Sequence, residues 1–469
     1  MSKKLKNALL LSTYILGYTS LSFELIILRQ LINFVGSNTL ITSIIMAFIL
    51  MFLSLGYYLG SVISFSKYPI RKIVSGIICG LSVWYILACS FPVIGAFFHI
   101  FVFSGIKSAA FQVTVLSFVL LTLPSVALGF ITSVLGRIIH HFDANYTGRF
   151  MAVDTVGSVS GSLLTTLVFM PFFGIYAATT VLVFLTSSVL WLLSRDKRKI
   201  SVFFVLYITI ISIVVSNEKI LFNEKTLIQD DAISRIEIFD EDFVDGKYLS
   251  KVMSVNGSGS SKVSSDEALF FEYIKYVNDV FIDNLPTDKV SNILVLGAGG
   301  FIVGKEDRRN QYVFLDVIHN LKEISEEYFL KEKLTDNKKF IAQDAYQYMI
   351  RDKNKYDLIF VDVYSSPREI PLNFVTVDFF NMVKEHLAQD GIMIANIITS
   401  PSFKSKYALR LDNTLRYVFP HYLSRQVINS KKKYDPYSKE VRNIIYTYYN
   451  YPSDNTIYTV DKNAAVFGQ

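Results

Sequence analysis

Four places along the second half of the chain carry residues able to do chemistry together: Gly297 and Gly299 in "ILVLGAGGFIVGKED", Asp316 closing "YVFLD", Asp344 in "AQDAYQYM" and Asp362 closing "YDLIFVD". Each follows a short apolar run that reads as a β-strand. Ligands of open α/β sheets bind at the carboxyl ends of the strands, so these residues form one pocket bearing three carboxylates. Gly297 and Gly299 let backbone approach a ligand closely. Asp316, 19 residues after Gly297, is placed to accept hydrogen bonds from both ribose hydroxyls. That is nucleoside chemistry. Glycines after a strand also serve tight turns, and the acids also serve as caps, so the combination carries the reading and the glycine loop alone does not.

The elements that must position these residues are legible from patterning. Strands "NILVL", "YVFL", "KKFIA", "YDLIFV" and "GIMIANI" alternate with helical stretches such as "NLKEISEEYFL", where Leu321, Ile324 and Tyr328 share a face. This predicts a Rossmann-like, doubly wound, methyltransferase-like sheet over residues 288–469. Ahead of it, residues 217–287 contain "ISRIEIF" and "KYLSKVMSVNG", read as a small β-sheet, with "NGSGSS" from Asn256 as a turn.

Residues 1–216 are different in kind. The whole chain is 51% hydrophobic with mean hydropathy +0.37, and this segment holds only four acids, Glu24, Asp143, Asp154 and Asp196, against fourteen Lys/Arg. Apolar runs of bilayer length fall near 9–34, 39–65, 73–103, 109–139, 150–171, 174–194 and 200–216, giving an α-helical, multi-pass membrane bundle of about seven spans. The basic excess sits in short loops, which reads as topology charge and argues against nucleic acid as a partner. Gly56/Gly60, Gly76/Gly80 and Gly157/Gly161 are spaced for close helix packing. Cys79 and Cys89 lie in one apolar run and the six histidines lack ligand spacing, so no metal and no disulfide is expected.

Glu24, Arg29 and Asp154 fall inside apolar spans, where a bare charge is costly. Glu24 and Arg29 are five residues apart and poor partners within one helix. The expected pairing is Arg29 with Asp154 across two helices. Lys/Arg cluster at the N-terminus, at Lys67/Arg71/Lys72, at Arg137/Arg149 and at Arg195 to Lys199, with only Lys107 between them. This alternation places the N-terminus inside. Seven spans would then put the C-terminal domain outside, whereas a nucleoside pocket favours the cytoplasm; the long run 73–103, broken at Pro92, leaves the count open. The expectation adopted is a cell (inner) membrane protein with a cytoplasmic C-terminal domain.

"VLGAGG", "FLDVIHNLKEISEEYF", "AQDAYQYM" and "IFVDVYSSPREIP" resemble successive motifs of the polyamine aminopropyltransferase (spermidine synthase) family, and "FELIILRQLINFVGSNT", "MFLSLGYYLGS" and "GRFMAVDTVGSVSG" resemble the helical domain of its membrane-fused members. The resemblance implies decarboxylated S-adenosylmethionine or S-adenosylmethionine as co-substrate, with ribose on Asp316, adenine on Asp344 beside Ala345, and Asp362 as the catalytic aspartate. The departures lie on the acceptor side. Gly300 stands where the family has an acid, Phe270 and Phe271 where it has a Tyr-His pair, Ser365 where it has a second aspartate and Ser234 where it has a glutamine. A plain polyamine is therefore in doubt as the acceptor.

Three functions follow as expectations. One is aminopropyl transfer to a small-molecule amine, Asp362 taking the proton that makes the amine nucleophilic. Another is methyl transfer from S-adenosylmethionine, and the third is a membrane transporter or sensor that only binds the nucleoside. The lipid bilayer is the expected partner, and a homo-oligomer stays open.

Overall fold

The computed structural model describes residues 3–35, 39–106, 108–142, 144–193, 198–216, 227–245, 247–266, 269–364, 370–403, 405–428 and 441–452. Two compact units divide the chain: Met1–Phe239 with Met253–Gly259 and Ser365–Glu369, and Asp240–Val252 with Ser260–Tyr364 and Ile370–Gln469.

The first unit is built on apolar helices: α1 (Lys3–Val35), α2 (Thr39–Val62), α3 (Ile70–Ala88), α4 (Phe91–Phe103), α5 (Ala109–Phe142), α6 (Thr147–Leu164), α7 (Met170–Leu193) and α8 (Arg198–Ser216). Among the described residues five helices are long and apolar enough to cross a membrane: Lys4–Phe34, Ile41–Val62, Ile70–Ala88, Ala110–Phe142 and Thr147–Leu193. The last is bent at Gly174, whose φ of 81° is left-handed and suits glycine. The run 73–103 is not one span; it divides into α3 and the 13-residue α4. Apolar side chains such as Phe172 (76% exposed) and Phe203 (72%) point outward, as lipid-facing residues do and water-facing ones seldom do.

Two of the three glycine pairs work as the spacing predicts. A methyl group on Gly157 or Gly161 would overlap the carbonyl oxygens of Tyr14 and Tyr18 on α1, and one on Gly56 would overlap that of Val126 on α5. Gly17 and Gly129 answer from the facing helices, against Asp154 and Leu53. The pair Gly76/Gly80 faces open space, with no atom within 4 Å of either position, so the packing expectation fails there.

The expected Arg29–Asp154 pair is also replaced. Arg29 Nε donates to the Asp231 carbonyl (2.8 Å), Nη1 donates to Asn33 Oδ1 (2.6 Å), and Nη2 lies 3.9 Å from the Asp230 carboxylate. The reason is position: Arg29 and Asn33 stand near the end of α1, within reach of the first strand, while Asp154 packs its backbone on Gly17 half a helix away. Glu24 and Asp154 are half-buried.

Four strands, β1 (Leu227–Asp230), β2 (Arg235–Val244), β3 (Lys247–Val255) and β4 (Ser258–Ser264), form a sheet in that order. The tract read as a turn from Asn256 turns only at Asn256-Gly257 and then enters β4, because serines at alternating positions satisfy a strand as readily as a loop.

The second unit contains the doubly wound sheet. Strands β5 (Asn292–Leu296), β6 (Gln311–Asp316), β7 (Lys338–Ala342), β8 (Tyr356–Val361), β9 (Leu387–Thr399), β10 (Leu423–Val427) and β11 (Arg442–Tyr449) lie in the order β10-β11-β9-β8-β5-β6-β7. The strands β5 to β9 run parallel and β11 is antiparallel to β9, which is the methyltransferase-like arrangement. Both faces are apolar: Leu294, Leu296, Ile359 and Val361 pack with Phe379 and Leu415 on one, and Ile293, Val295, Leu358 and Phe360 are buried on the other. The helix expected at 321–330 has one turn of α-helix (Leu321–Ile324) followed by a π-turn (Ser325–Phe329). The extra residue in that turn carries Phe329, 1% exposed, into the core in place of the expected Tyr328, 38% exposed.

Alanine at Gly157 or Gly161 is expected to lower bundle stability by about 1–3 kcal/mol because backbone, not a movable side chain, is in the way. Alanine at Gly76 is expected to cost nothing and to gain up to about 1 kcal/mol of helix propensity. Thermal unfolding in detergent measures the difference.

Candidate active site

The four sequence features converge because their strands are neighbours. Leu296 pairs with Leu315 and with Val361, and Asp316 pairs with Ala342, so Gly297, Asp316, Asp344 and Asp362 line one sheet edge. Backbone bonds join the strand ends: Gly297 N–H to Leu315 O (3.0 Å), Asp362 N–H to Leu296 O (2.8 Å) and Gln343 N–H to Asp316 O (2.8 Å). Gly297 sits at φ 91°, and any β-carbon there would overlap the Asp362 carbonyl. Only glycine lets β5 and β8 end this close together.

No helix follows the glycine loop. Phe301, at φ 60°, buries its ring against Phe314 and Phe340, and residues 302–310 run in turns. The positive helix end that holds a pyrophosphate in dinucleotide-binding sheets does not follow this loop.

Asp316 is half-buried. One carboxylate oxygen accepts the Ala298 N–H (3.3 Å) and the other the Ile318 N–H (3.2 Å). Burial pushes its pKa up to about 6 against these backbone donors. Asp344 caps the helix Ala345–Arg351, Oδ1 accepting from Gln347 N–H at 2.8 Å. The cap uses Oδ1 alone among the described residues, and Ala345, buried at the first helical position, brings the helix against the sheet.

Asp362 has the most elaborate surroundings. Oδ1 accepts from Asn396 Nδ2 on β9 (2.8 Å) and Oδ2 from the Tyr273 hydroxyl (3.1 Å). Asn396 Oδ1 in turn accepts from Asn443 on β11 (2.9 Å), and the Tyr364 hydroxyl donates to the Asn396 carbonyl (3.1 Å). Burial raises the Asp362 pKa to about 6, while Asn396 and Tyr273 pull it down. The same burial, with the nearby carboxylate, holds the Tyr273 phenol well above its usual range. A carboxylate titrating near neutrality with two fixed donors is suited to general-base work.

The residues expected on the acceptor side are dispersed. Phe270 is buried, and the half-buried Phe271 stacks on Tyr273 at 6.3 Å between ring centres. Gly300 is closed off: its N–H donates to Ser261 Oγ (2.8 Å), and a side chain there would collide with the Phe329 ring. Ser234 lies in the first unit, fully buried, with its hydroxyl accepting from Gln229 (3.0 Å). Ser365 lies outside the described residues. Sequence reasoning missed Tyr273, Asn396 and Asn443. Tyr273 was findable, lying three residues beyond Phe270 in the first turn of the helix Glu272–Val277; the two asparagines sit on strands whose pairing only the sheet order shows.

The sheet order and its row of strand-end acids define a methyltransferase-like α/β fold. Within that class, residues 307–430 match the family described as the spermine/spermidine synthase domain. It is similar to a polyamine aminopropyltransferase of Oceanobacillus iheyensis, 26% identical over 292 residues, 57% of this chain and 55% of that protein. The match thus spans about half the length of that relative. Among solved structures it is similar to a probable spermidine synthase from Corynebacterium glutamicum (21% identity, TM-score 0.39, covering 50% of this chain and 82% of that one). It is also similar to spermidine synthase from Thermotoga maritima (17% identity, TM-score 0.37, covering 52% and 84%).

Removing the Tyr273 hydroxyl takes a donor from the ionised form of Asp362, so Tyr273→Phe is expected to raise the Asp362 pKa above about 6. Infrared titration of the protonated carboxyl band checks this, with Asp362→Asn as the blank that subtracts Asp316. An unchanged midpoint would show that the hydroxyl does not reach the carboxylate.

Proposed function

We propose that the α/β domain is an aminopropyltransferase-like enzyme acting on an adenosyl sulfonium donor, carried by a multi-pass membrane chain. The observation that carries this reading is the Asp362 carboxylate, held by Tyr273 and Asn396 at the end of the strand next to the glycine loop. Asp316 would accept from the ribose hydroxyls and Asp344, through its second oxygen, from the adenine amino group. The chain's residues suit that role: each acid keeps acceptor capacity beyond the backbone bonds it already makes.

The reaction then follows from the charges. A neutral amine attacks the carbon beside the sulfonium; the new C–N bond forms as the C–S bond breaks, its electron pair passing to sulfur, and methylthioadenosine leaves as a neutral thioether. The amine proton passes to Asp362. General-base assistance of this kind is worth about 10²- to 10⁴-fold.

The acceptor is an amine with an apolar body rather than a small diamine. Phe270 and Phe271 take the positions of the polar pair implied by the resemblance, and Gly300, shut behind Phe329, stands where the resemblance implies an acid that helps hold the aminopropyl amine. The same closure supports a second reading, methyl transfer from S-adenosylmethionine, because no acid at 300 repels the donor's own carboxylate.

The purified protein in detergent, given each donor with a panel of diamines and apolar monoamines, is expected to release methylthioadenosine with decarboxylated S-adenosylmethionine. S-adenosylhomocysteine from S-adenosylmethionine would instead establish methyl transfer, and neither product would leave a binding-only domain. Asp362→Asn is expected to lower turnover about 10²- to 10⁴-fold with nucleoside affinity held, whereas Asp316→Asn is expected to lower affinity itself.

A further inference from the structure

The directions of the helices and the placement of their charges together bear on the face at which the chain leaves the bundle. Every Lys and Arg of residues 1–216 except Arg29 and Lys107 falls in one of four places: before or at the start of α1, from the α2–α3 connection into the first turn of α3, around the α5–α6 connection, and from the α7–α8 connection into the first turn of α8. The packing brings the first three of these places to one end. Lys6 lies over the Tyr146 ring at 3.0 Å and Arg149 over the same ring at 4.9 Å, joining the start of α1 to the start of α6. Tyr14 against Gly157, Tyr18 against Gly161 and Ser22 against Thr165 show these two helices running parallel. At the ends of α2 and α5, Arg137 donates to the carbonyls of Gly60 (2.9 Å) and Ile63 (2.7 Å), and these helices too run parallel.

The opposite end receives the first strands. Arg29 and Asn33, near the end of α1, hold Asp230 and Asp231; the Arg235 guanidinium lies 3.5 Å from the Phe91 ring centre at the start of α4; and a β-carbon on Gly174, at the bend near the start of α7, would lie 3.0 Å from the Asp230 carbonyl. Helix α4 does not disturb the count. Thirteen residues span about 20 Å against a hydrocarbon core of about 30 Å; its first residue lies beside Arg235 and its last leads into α5 at the same end. Counting the two arms of Thr147–Leu193 that meet at Gly174 separately, as α6 and α7, and adding the 19-residue α8 to α1, α2, α3 and α5 gives seven crossings.

Basic loops stay in the cytoplasm. We therefore propose that the chain leaves the bundle on the non-cytoplasmic face, so that the nucleoside-binding domain works outside the cytosol, the reverse of the cytoplasmic expectation. The proposal rests on charge and helix direction and is independent of which group the site transfers. If the transfer reading also holds, the donor is a fixed sulfonium cation that hydrocarbon excludes, and a carrier must deliver it to this face, where the amine acceptor is met.

The test uses the full chain in cells, with alkaline phosphatase, active only after export, or green fluorescent protein, fluorescent only in the cytosol, fused after Gln469. Phosphatase activity with dark green fluorescent protein is expected; fluorescence without phosphatase, or both signals at once, overturns the proposal. A second arm labels Lys247→Cys and Arg71→Cys in intact cells with a membrane-impermeant maleimide. Lys247→Cys is expected to label in intact cells and Arg71→Cys only after lysis, and the opposite pattern overturns the assignment. Both arms measure sidedness whether or not the enzyme turns over, so a failure of the transfer reading would leave the sidedness result standing.

Discussion

A guanidinium near the end of an apolar helix must find partners or expose itself, and Arg29 finds one on its own helix and two in the first strand region far along the chain. Its three nitrogens are divided between the Asp231 carbonyl, the Asn33 side chain and the Asp230 carboxylate. Asp230 is shared with Arg235, only 2% exposed, whose Nη1 bonds it at 2.9 Å and whose Nη2 bonds Glu237 at 2.6 Å. Two buried cations thus face two carboxylates. Removing one member would strand the others, which costs about 3–5 kcal/mol at buried pairs, whereas the assembled set holds the first two strands to one end of the helices.

The α/β domain depends on a different closeness. Gly297 allows the ends of β5 and β8 to meet, and that meeting delivers Asp362 beside the loop with its oxygens turned to Asn396 and Tyr273. Burial and hydrogen bonding oppose each other at this carboxylate. Burial is the larger effect and lifts it to about 6, where a base is mostly ionised at neutral pH yet still basic enough to take a proton.

The legibility of these features in sequence follows the range of the forces behind them. Strands β5 to β9 were visible as short apolar runs, since a strand buried on both faces needs nothing else. The arrangement of acids at their ends was visible too, because a parallel sheet places successive strand ends together. Strands β10 and β11 were not, as "LSRQV" and "RNIIYTYY" show only a partial alternation. Arg29 was recognisable as needing a partner, but the partner belonged to another element, and distance in sequence hides that. Gly76/Gly80 and Gly157/Gly161 are identical in spacing; only the facing helix distinguishes a packing seam from an open face. The π-turn at 325–329 left no mark in the pattern, since one inserted residue changes which side chain turns inward without changing composition.

That π-turn also connects two departures that look separate in the sequence. The loss of an acid at position 300 reads as a change in ligand chemistry, and the irregular helix reads as a local defect. In space they are one event. The added residue turns Phe329 inward, where its Cδ1 would stand 2.8 Å from any β-carbon on Gly300, and the same segment ties back through Ser325 Oγ, which donates to the Gly300 carbonyl at 3.2 Å. An acid at 300 would need both a new helix register and a different residue at 329. Substituting aspartate for Gly300 alone therefore cannot restore a cation-gripping site; it would bury a carboxylate against a phenyl ring, where its desolvation is uncompensated. The surroundings of position 300 are closed by the fold around them.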